Sequence, residues 1–544
     1  MELWTATSWH TVFKDECKSC DATEQIKWIA ARNEYESAQI VMRHSEAFTV
    51  TEVRLSDLRD TEGHSISGSR MSYRFIDYVY LESNSPGIVN AVREAPAEYP
   101  ERLSNERTRD VEADCAQPIW ITIYVPKEAK PGLYAGTADI ATTAGTYLAE
   151  LELEICNVQI PDAPEGALTI SYWSWNAGRM MAPDEDDQIR AQYGYERYSP
   201  DWWRLMERFA DSWREHRMNE LLVHHQTLLL DGGTTIDEAG AYRFGWGRFD
   251  EVLSFFDSRG CVKAFTGTRL LFPPSKDDPY EVYLIRRDSS GRMVRELAPL
   301  DSVEAENWWK QYLPALRAHL IERGWWDRWR QQIGDEPHTE VQRDQWLSVK
   351  GWIDAYAPGM RIGDAFCDPE YYKPFEEKVD VWVPQLNVLQ DNKSYFDTRA
   401  VVGEQVWMYT CGFPKGAYLN RFLDQPAWMG RNLLWLCYRW GLPGFLHWGW
   451  NIWQFPIDAY EARGDAYIVW PDQPNGTIME SVRSAAVRDG AEEYELLRLL
   501  ERRNPQRAAE LASAVVVSGT EYSTDIELMR RKREELLRAC SEEE

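Results

Sequence analysis

The sequence predicts an α/β protein in which an N-terminal β-sandwich is followed by a (β/α)8 TIM-type barrel and a C-terminal helical segment. Up to about residue 160, apolar residues recur at the period of a β-strand. From about 165 to 455, apolar strands and amphipathic helices take turns, as in a parallel barrel. From about 478 the apolar spacing is helical. We therefore expect domains at residues 1–162, 163–475 and 476–544.

The predicted sandwich consists of short strands separated by turns. The clearest strand runs from Tyr147 to Ile155, where every second residue is apolar and lies on one face. A second strand lies between Pro118 and Pro126. Further strands are expected at 39–42, 53–55, 78–81 and 136–140, and the domain ends in the proline-containing segment 160–164.

The predicted barrel has eight strands with helices between them. The strands are expected at 168–173, 220–225, 262–265, 329–334, 360–366, 379–384, 405–409 and 444–450. The helices are expected at 202–216, 248–258, 304–323, 345–356 and 429–440. Two further helices, at 481–502 and 525–540, form the C-terminal segment, which we expect to pack against the barrel.

Composition narrows the classes of partner and the cellular location. The formal net charge of −28 lacks the basic surface that nucleic acid and anionic membranes require, so neither is an expected partner. No apolar run approaches the length of a membrane span, and the N-terminus has no secretory signal pattern. The nine cysteines are scattered and predict reduced thiols, so we expect a cytoplasmic protein.

Aromatic content is the unusual feature of the composition, with 26 Trp, 27 Tyr and 17 Phe. Trp and Tyr present flat apolar faces with a polar edge, which suit the apolar C–H faces of sugars. Most of these rings fill the cores, but the excess favours a small carbohydrate substrate.

Two adjacent acids, Asp335 and Glu336, follow the fourth predicted barrel strand and precede Pro337. The carboxyl ends of barrel strands form the catalytic face. Neighbouring acids repel each other, which raises at least one pKa, and one protonated acid beside one ionised acid suits acid-assisted bond cleavage. Because Pro337 restricts the residue before it, we expect extended backbone geometry at Glu336.

Polar and aromatic residues follow most of the other predicted strands, where a neutral polyhydroxy ligand would contact them. The candidate substrate-binding residues are Trp175, Asn176, His224, Gln226, Asp364, Gln385, Asn387, Tyr409, Trp448, Trp450 and Asn451. The neighbours His224 and His225 face opposite sides of a strand and cannot easily share an ion. We therefore expect no metal and no cofactor.

Several motifs together resemble glycoside hydrolase family 123, the β-N-acetylgalactosaminidases, and the wider set of proteins that share its catalytic domain. The similarity covers nearly the whole chain. Its motifs are Ala31-Arg-Asn-Glu-Tyr-Glu-Ser-Ala-Gln39, Gly334-Asp-Glu-Pro337, the segment 441–453, Gly464-Asp-Ala-Tyr467, Ser481-Val-Arg483 and Arg488-Asp-Gly-Ala-Glu-Glu-Tyr494.

The resemblance implies a role for each acid. Glu336 would act as general acid and then as general base. Asp335 would hold the 2-acetamido N–H of the substrate and stabilise the oxazolinium formed when the acetamido oxygen attacks the anomeric carbon. This substrate-assisted route is an exception to the two-carboxylate scheme. The resemblance implies an exo-acting enzyme. Relatives in this family are often exported, whereas this sequence shows no secretory signal pattern, so we expect imported short oligosaccharides as substrates in the cytoplasm. A homo-oligomer is also an expectation.

Two alternatives remain at this point. A conventional glycosidase would use Glu336 as acid and a carboxylate such as Asp364 as nucleophile, and it would cleave sugars that lack the acetamido group. A non-catalytic carbohydrate-binding protein would bind glycans without turnover at any pH. The motifs also leave open the preference between galacto and gluco configuration.

Overall fold

The computed structural model describes residues 1–174, 187–368 and 373–542. The chain folds as a mixed α/β protein with a sheet-rich N-terminal region and helices at its C-terminus. Among the described residues, no helix combines the length and hydropathy needed to cross a membrane. Each of the nine cysteines is a free thiol.

The N-terminal region forms two sheets that share one hydrophobic core. Its strands are β1 (Glu2–Thr7), β2 (Gln25–Arg32), β3 (Glu34–Arg43), β4 (Phe48–Leu55), β5 (Leu58–Arg59), β6 (Ser65–Ile66), β7 (Met71–Leu81), β8 (Ala97–Ser104), β9 (Arg109–Val111), β10 (Gln117–Val125), β11 (Gly132–Thr142) and β12 (Gly145–Gln159). One sheet has the order β1-β3-β10-β7-β8, and the other has the order β2-β12-β11-β4-β9. Ile40 and Ile121 from the first sheet pack in the same core as Ile140 and Leu151 from the second, because alternate residues of each strand face inward.

The middle region alternates strands and helices. In chain order its elements are β13 (Thr169–Tyr172), α1 (Gln188–Tyr193), α2 (Pro200–Glu215), β14 (Glu220–Val223), α3 (His225–Asp231), β15 (Thr235–Ile236), β16 (Tyr242–Arg243), α4 (Gly247–Ser258), β17 (Ala264–Gly267), β18 (Leu271–Phe272), β19 (Glu281–Arg287), β20 (Met293–Pro299), α5 (Val303–Glu322), β21 (Trp329–Gln331), α6 (Glu340–Tyr356), β22 (Arg361–Phe366), β23 (Val381–Pro384), α7 (Leu386–Asp391), α8 (Lys393–Val401), β24 (Gln405–Val406), β25 (Met408–Thr410), α9 (Trp428–Arg439) and β26 (Gly444–His447).

The main strands of this region form two parallel sheets. Within the described ranges, one sheet has the order β14-β17-β21-β22-β23-β24 and the other has the order β13-β26-β25. Gln385, just beyond β23, forms a parallel bridge with Tyr409 of β25, and the amide of Asn219, just before β14, donates to the carbonyl of Ile170 in β13 at 3.3 Å. The two sheets are therefore in contact at both of these edges. Since the strands are parallel, their carboxyl ends lie at one edge, and the loops that leave this edge carry the predicted site.

The last region connects the middle of the chain back to the N-terminal sheet. Its elements are β27 (Trp470–Asp472), β28 (Thr477–Ser481), α10 (Val482–Arg503), α11 (Pro505–Val515) and α12 (Ile526–Ser541). Strand β28 pairs antiparallel with β8, so this hairpin extends the N-terminal sheet across the predicted boundary at residues 475 and 476. The domain boundaries themselves stay a prediction.

Buried ion pairs fasten the C-terminal helices to the N-terminal sheet. Arg533 of α12 lies 2.9 Å from a carboxylate oxygen of Glu34 and 3.1 Å from one of Glu493, and it also pairs with Glu36. Burial raises the pKa of Glu36 to about 8, although the guanidinium of Arg533 opposes the rise. Removing one partner of a buried ion pair strongly destabilises the protein, because the other charge stays buried without compensation.

Candidate active site

Asp335 and Glu336 lie in a turn beyond β21 in which both residues have left-handed backbone geometry. Their φ angles are 82° and 49°, so the expectation of extended geometry at Glu336 is wrong. The physical reason is a set of backbone hydrogen bonds that overrides the preference set by Pro337: the Glu336 amide donates to the carbonyl of Ala365 at 3.0 Å. Gly334 is closely packed here, since a Cβ atom would lie 2.9 Å from the hydroxyl of Tyr280.

Asp364, within β22, accepts the hydrogen bonds that hold this turn. Its Oδ2 accepts from the amides of Ile333 and Gly334 at 3.3 and 2.8 Å and from Nε1 of Trp346 at 2.7 Å. Its Oδ1 accepts from the amides of Asp335 and Ala365 at 3.0 and 3.2 Å. The side chain is fully buried.

This environment corrects two predictions for Asp364. A carboxylate with both oxygens occupied and no exposed surface does not contact a substrate, and it is not placed to attack an anomeric carbon. Asp364 instead positions the backbone that carries the two acids.

Asp335 is half-buried, and its side chain turns toward the end of β17. Its Oδ2 accepts from Nη1 of Arg269 at 3.1 Å, and its carbonyl accepts from the hydroxyl of Tyr280 at 3.3 Å. Burial raises the pKa of Asp335 to about 8, with a further rise from Glu336 and an opposing effect from Arg269. The free protein therefore holds a proton on this acid more readily than an exposed aspartate does.

Glu336 is also half-buried, and its side chain turns the other way, toward β25. The hydroxyl of Tyr409 donates to Oε1 of Glu336. Nε2 of Gln385 donates to the same hydroxyl at 3.3 Å. Burial and the charge of Glu336 raise the pKa of Tyr409, so this phenol stays protonated as a donor. The structure therefore brings together the two acids, Gln385 and Tyr409.

A cavity lies beside Arg269, the partner of Asp335, and Arg269 forms part of its wall. His224 and Gln226, two of the predicted substrate-binding residues, also line the cavity, and their binding role stays a prediction. Nε2 of His224 lies 3.3 Å from the carbonyl of Ser174, and Nε2 of Gln226 donates to the carbonyl of Tyr283 at 3.2 Å. The two side chains are therefore held in place in the cavity wall that also contains Arg269.

Trp448 follows β26 and belongs to an aromatic group at the same edge. Its Nε1 donates to Oδ2 of Asp465 at 2.7 Å, and its ring meets those of Phe455 and Tyr460 edge-on. Tyr460 is 59% exposed, so this group offers an open aromatic face. Burial lowers the pKa of His447 to about 3, and this neutral ring lies 3.1 Å from Asp465.

Three further predicted substrate-binding residues are Trp450, Asn451 and Asn387, and two of them are buried in the core. Trp450 is buried and packs edge-on against Phe209 and Trp213, so it belongs to the core rather than to a sugar-binding surface. Asn451 is fully buried, which corrects its prediction as a contact residue in the same way. Asn387 is half-buried on α7, and its buried Oδ1 has no partner.

Trp175 and Asn176 lie outside the described residues. Sequence reasoning also missed site residues, namely Arg269, Tyr280 and Tyr460. Arg269 lies just beyond β17, which corresponds to the third predicted barrel strand. In the described part of the chain, metal-ligand spacing occurs at Asp60, Glu62 and His64, in the β5–β6 connection of the N-terminal region.

Two protein-family models match this chain. The glycoside hydrolase 123 catalytic domain matches residues 184–500, and the glycoside hydrolase 123 N-terminal domain matches residues 6–142. The chain belongs to glycoside hydrolase family 123. The match includes both acids, so the family 123 catalytic domain contains the turn described above.

A solved structure supports the same fold. The chain resembles a family 123 glycoside hydrolase from Clostridium perfringens, studied for glycolipid glycan hydrolysis, at a TM-score of 0.76 and 16% identity, covering 99% of this chain and 98% of that one. A putative glycoside hydrolase from Bacteroides vulgatus gives a TM-score of 0.33 at 9% identity, covering 88% of this chain and 79% of that one. No curated protein matches the chain.

Proposed function

We propose that this family 123 glycoside hydrolase is an exo-acting β-N-acetylgalactosaminidase that works with retention through an oxazolinium. The observation that supports the proposal is the division of the adjacent acids between two partners, Arg269 for Asp335 and Tyr409 for Glu336. Asp364, which holds the backbone of this turn, is fully buried. We also infer that the two parallel sheets are parts of one (β/α)8 barrel, with this turn at its catalytic face.

In the proposed reaction, the substrate supplies its own nucleophile. The acetamido oxygen bonds to the anomeric carbon while the glycosidic bond breaks, and Glu336 gives its proton to the departing oxygen. Asp335, in its ionised form, accepts a hydrogen bond from the acetamido N–H and balances the positive charge of the oxazolinium, so this step requires that Asp335 has lost its proton. Water then attacks the anomeric carbon, Glu336 takes the proton of that water, and the configuration is retained.

The two acids suit these roles because of where they point. The hydroxyl of Tyr409 occupies Oε1 of Glu336, which leaves Oε2 to carry the transferred proton. The carboxyl of Asp335 is fixed by Arg269, which also lines the cavity, and we infer that the acetamido group of the substrate lies against this carboxyl. The exposed ring of Tyr460 offers a platform for the apolar face of a sugar.

A conventional two-carboxylate glycosidase is the second candidate, because Asp368 is a half-buried acid just beyond β22. The proposed location in the cytoplasm, the short oligosaccharide substrates and the homo-oligomer stay predictions.

The test compares aryl glycosides that differ at one position. We expect hydrolysis of the aryl β-N-acetylgalactosaminide, little hydrolysis of the aryl β-galactoside, and inhibition by a thiazoline that mimics the oxazoline. Glu336→Gln should lose nearly all activity, whereas the matched control Asp368→Asn should keep it. Equal cleavage of the galactoside, or loss of activity in Asp368→Asn, would instead support the conventional mechanism.

A further inference from the structure

Two exposed aromatic rings lie next to each other at the edge that carries the acids. Over the described segments, three aromatic side chains are more than half exposed, namely Tyr80 at 56%, Phe413 at 53% and Tyr460 at 59%. Tyr80 lies on β7 in the N-terminal region. Phe413 and Tyr460 lie in adjoining loops, since a Cβ atom on Gly412 would be 3.5 Å from the Cβ atom of Tyr460. Exposed apolar side chains that lie together mark binding surfaces.

Hydrogen bonds connect the loop of Phe413 to the general acid of the proposed reaction. This loop follows β25 directly, and the amide of Cys411 donates to the carbonyl of Phe413 at 2.8 Å. Nε2 of Gln385 donates to Sγ of Cys411 at 3.5 Å and to the hydroxyl of Tyr409 at 3.3 Å. That hydroxyl donates in turn to Glu336. The loop therefore lies on the Glu336 side of the turn, where the departing oxygen takes its proton.

The contacts around both rings hold them at the surface. Tyr460 has left-handed backbone geometry, with a φ angle of 55°, and its ring packs against that of Trp448 at a centroid separation of 5.5 Å. Nζ of Lys415 lies 5.1 Å from the centroid of the Phe413 ring and donates to the carbonyl of Glu461 at 3.3 Å, so it ties the two loops together. Left-handed geometry in non-glycine residues costs free energy and is concentrated at functional sites. The fixed, exposed pair therefore indicates a binding role.

The position and the shape of the pair point to a sugar as its ligand. An exo-acting enzyme places one sugar beside the two acids, and the leaving group lies beyond the general acid. Flat rings suit the apolar C–H face of a pyranose. A lipid tail would need an enclosed apolar channel, whereas two half-exposed rings form an open platform.

We propose that Phe413 and Tyr460 form a subsite for the leaving group, and that this subsite takes a second sugar ring linked to the N-acetylhexosamine. This inference rests on the proposed function, because Glu336 defines the side on which the leaving group lies. An aromatic leaving group offers flat faces to the same rings, so the experiment has a separate arm for it.

The variants remove one ring at a time and leave Glu336 and its partners intact. Phe413→Ala and Tyr460→Ala each remove one ring of the platform, and Phe413→Tyr keeps a ring at the same place. Tyr80→Ala is the matched control, because it removes an equally exposed ring from the N-terminal region. Circular dichroism confirms that each variant is folded.

Steady-state kinetics compare three substrates that share a β-N-acetylgalactosaminyl group. Their leaving groups are galactose, an aryl alcohol and fluoride, which is a single atom. Phe413→Ala and Tyr460→Ala should each lower kcat/KM on the disaccharide about tenfold, which corresponds to about 55 Å² of ring surface covered by the sugar. Both should stay within about twofold of wild type on the fluoride. Phe413→Tyr and Tyr80→Ala should change neither rate.

An equal loss on the disaccharide and the fluoride, or no loss on either, would overturn this inference and leave the proposed function standing. A loss on the aryl glycoside alone would overturn the assignment to a sugar. If wild type cleaves none of the three substrates, the proposed function fails, and saturation-transfer NMR with the disaccharide tests the platform by itself. Transfer to the galactose protons that Phe413→Ala abolishes would then support the subsite, and no transfer to wild-type-bound galactose would overturn it.

Discussion

Replacing Asp364 by Asn tests whether this buried carboxylate positions the catalytic turn. The carboxylate accepts from five donors, of which two face Oδ1 and three face Oδ2. Asparagine keeps one oxygen and turns the other into an NH2 group, so at least two donors lose their acceptor. At about 1–3 kcal/mol for each buried unpaired donor, the variant should lose about 2–6 kcal/mol of unfolding free energy.

The same variant should lose activity for a geometric reason. The amides of Gly334 and Asp335 would no longer be held, so the acids would shift from their places beside Arg269 and Tyr409. A displacement of about 1 Å at reacting groups costs about 100-fold in rate. We therefore expect kcat on an aryl β-N-acetylgalactosaminide to fall at least that far, measured on protein shown by circular dichroism to be folded.

Urea unfolding and kcat per folded molecule together decide the outcome. The control is Asp380→Asn. Asp380 lies just before β23 and is exposed, and its Oδ2 accepts from the amide of Ile362, near the start of β22, at 2.7 Å. This control should change both quantities little. Wild-type kcat in a destabilised Asp364→Asn would refute the positioning role, and unchanged stability would refute the hydrogen-bond argument.

Three further variants test other contacts. Tyr409→Phe removes the hydroxyl that binds Glu336, and kcat should fall about tenfold, as for the loss of one charged hydrogen bond. Arg269→Met removes the cation that lowers the pKa of Asp335, so that pKa should rise above about 8 and the acidic limb of the kcat/KM profile should move to higher pH. Arg533→Met leaves buried carboxylates unpaired and should cost about 3–5 kcal/mol in denaturant unfolding.

Each of these variants has an outcome that contradicts its reasoning. Tyr409→Phe with unchanged kcat would show that the hydroxyl is not needed on the general acid. A profile for Arg269→Met that moves to lower pH would contradict the sign of the charge effect. Arg538→Met is the control for Arg533, because its pair with Glu154 is exposed and should contribute less than about 1 kcal/mol.

Local sequence pattern was enough to locate most strands and helices, because burial on one face produces the periodicity. β12 (Gly145–Gln159) shows this, since its apolar residues alternate and face the core. The sequence pattern does not predict the sheet formed by β18, β19 and β20, although β19 (Glu281–Arg287) and β20 (Met293–Pro299) flank a turn that contains Gly291. The pairing of β28 with β8 joins residues far apart in sequence, and no local pattern encodes that contact.

The site was predictable only in part, for a related reason. A motif marks Asp335 and Glu336, but sequence does not show which polar residue at a strand end faces solvent. Asp364 and Asn451 follow the same rule as Gln385, yet the structure buries both completely. Arg269 lies at a strand end with no periodic signal, and only its ion pair with Asp335 marks it as part of the site.

The left-handed turn explains how two adjacent residues can serve separate roles. In an extended strand, neighbouring side chains face opposite sides of the sheet, and one of them would point away from the cavity edge. Left-handed geometry costs about 1–3 kcal/mol for each non-glycine residue, or about 2–6 kcal/mol for the pair. The five hydrogen bonds to Asp364, at about 1 kcal/mol each, are of the same size as that cost.

The turn sends Asp335 to Arg269 at the end of β17 and Glu336 to Tyr409 on β25. Both carboxyl groups therefore stay at one edge of the parallel sheets, and their different hydrogen-bond partners keep them apart. A conventional nucleophile and acid must instead lie on opposite sides of the scissile bond. An acid and an acetamide-positioning group have no such requirement, so this strained turn, held by a buried carboxylate, is compatible with the proposed substrate-assisted route.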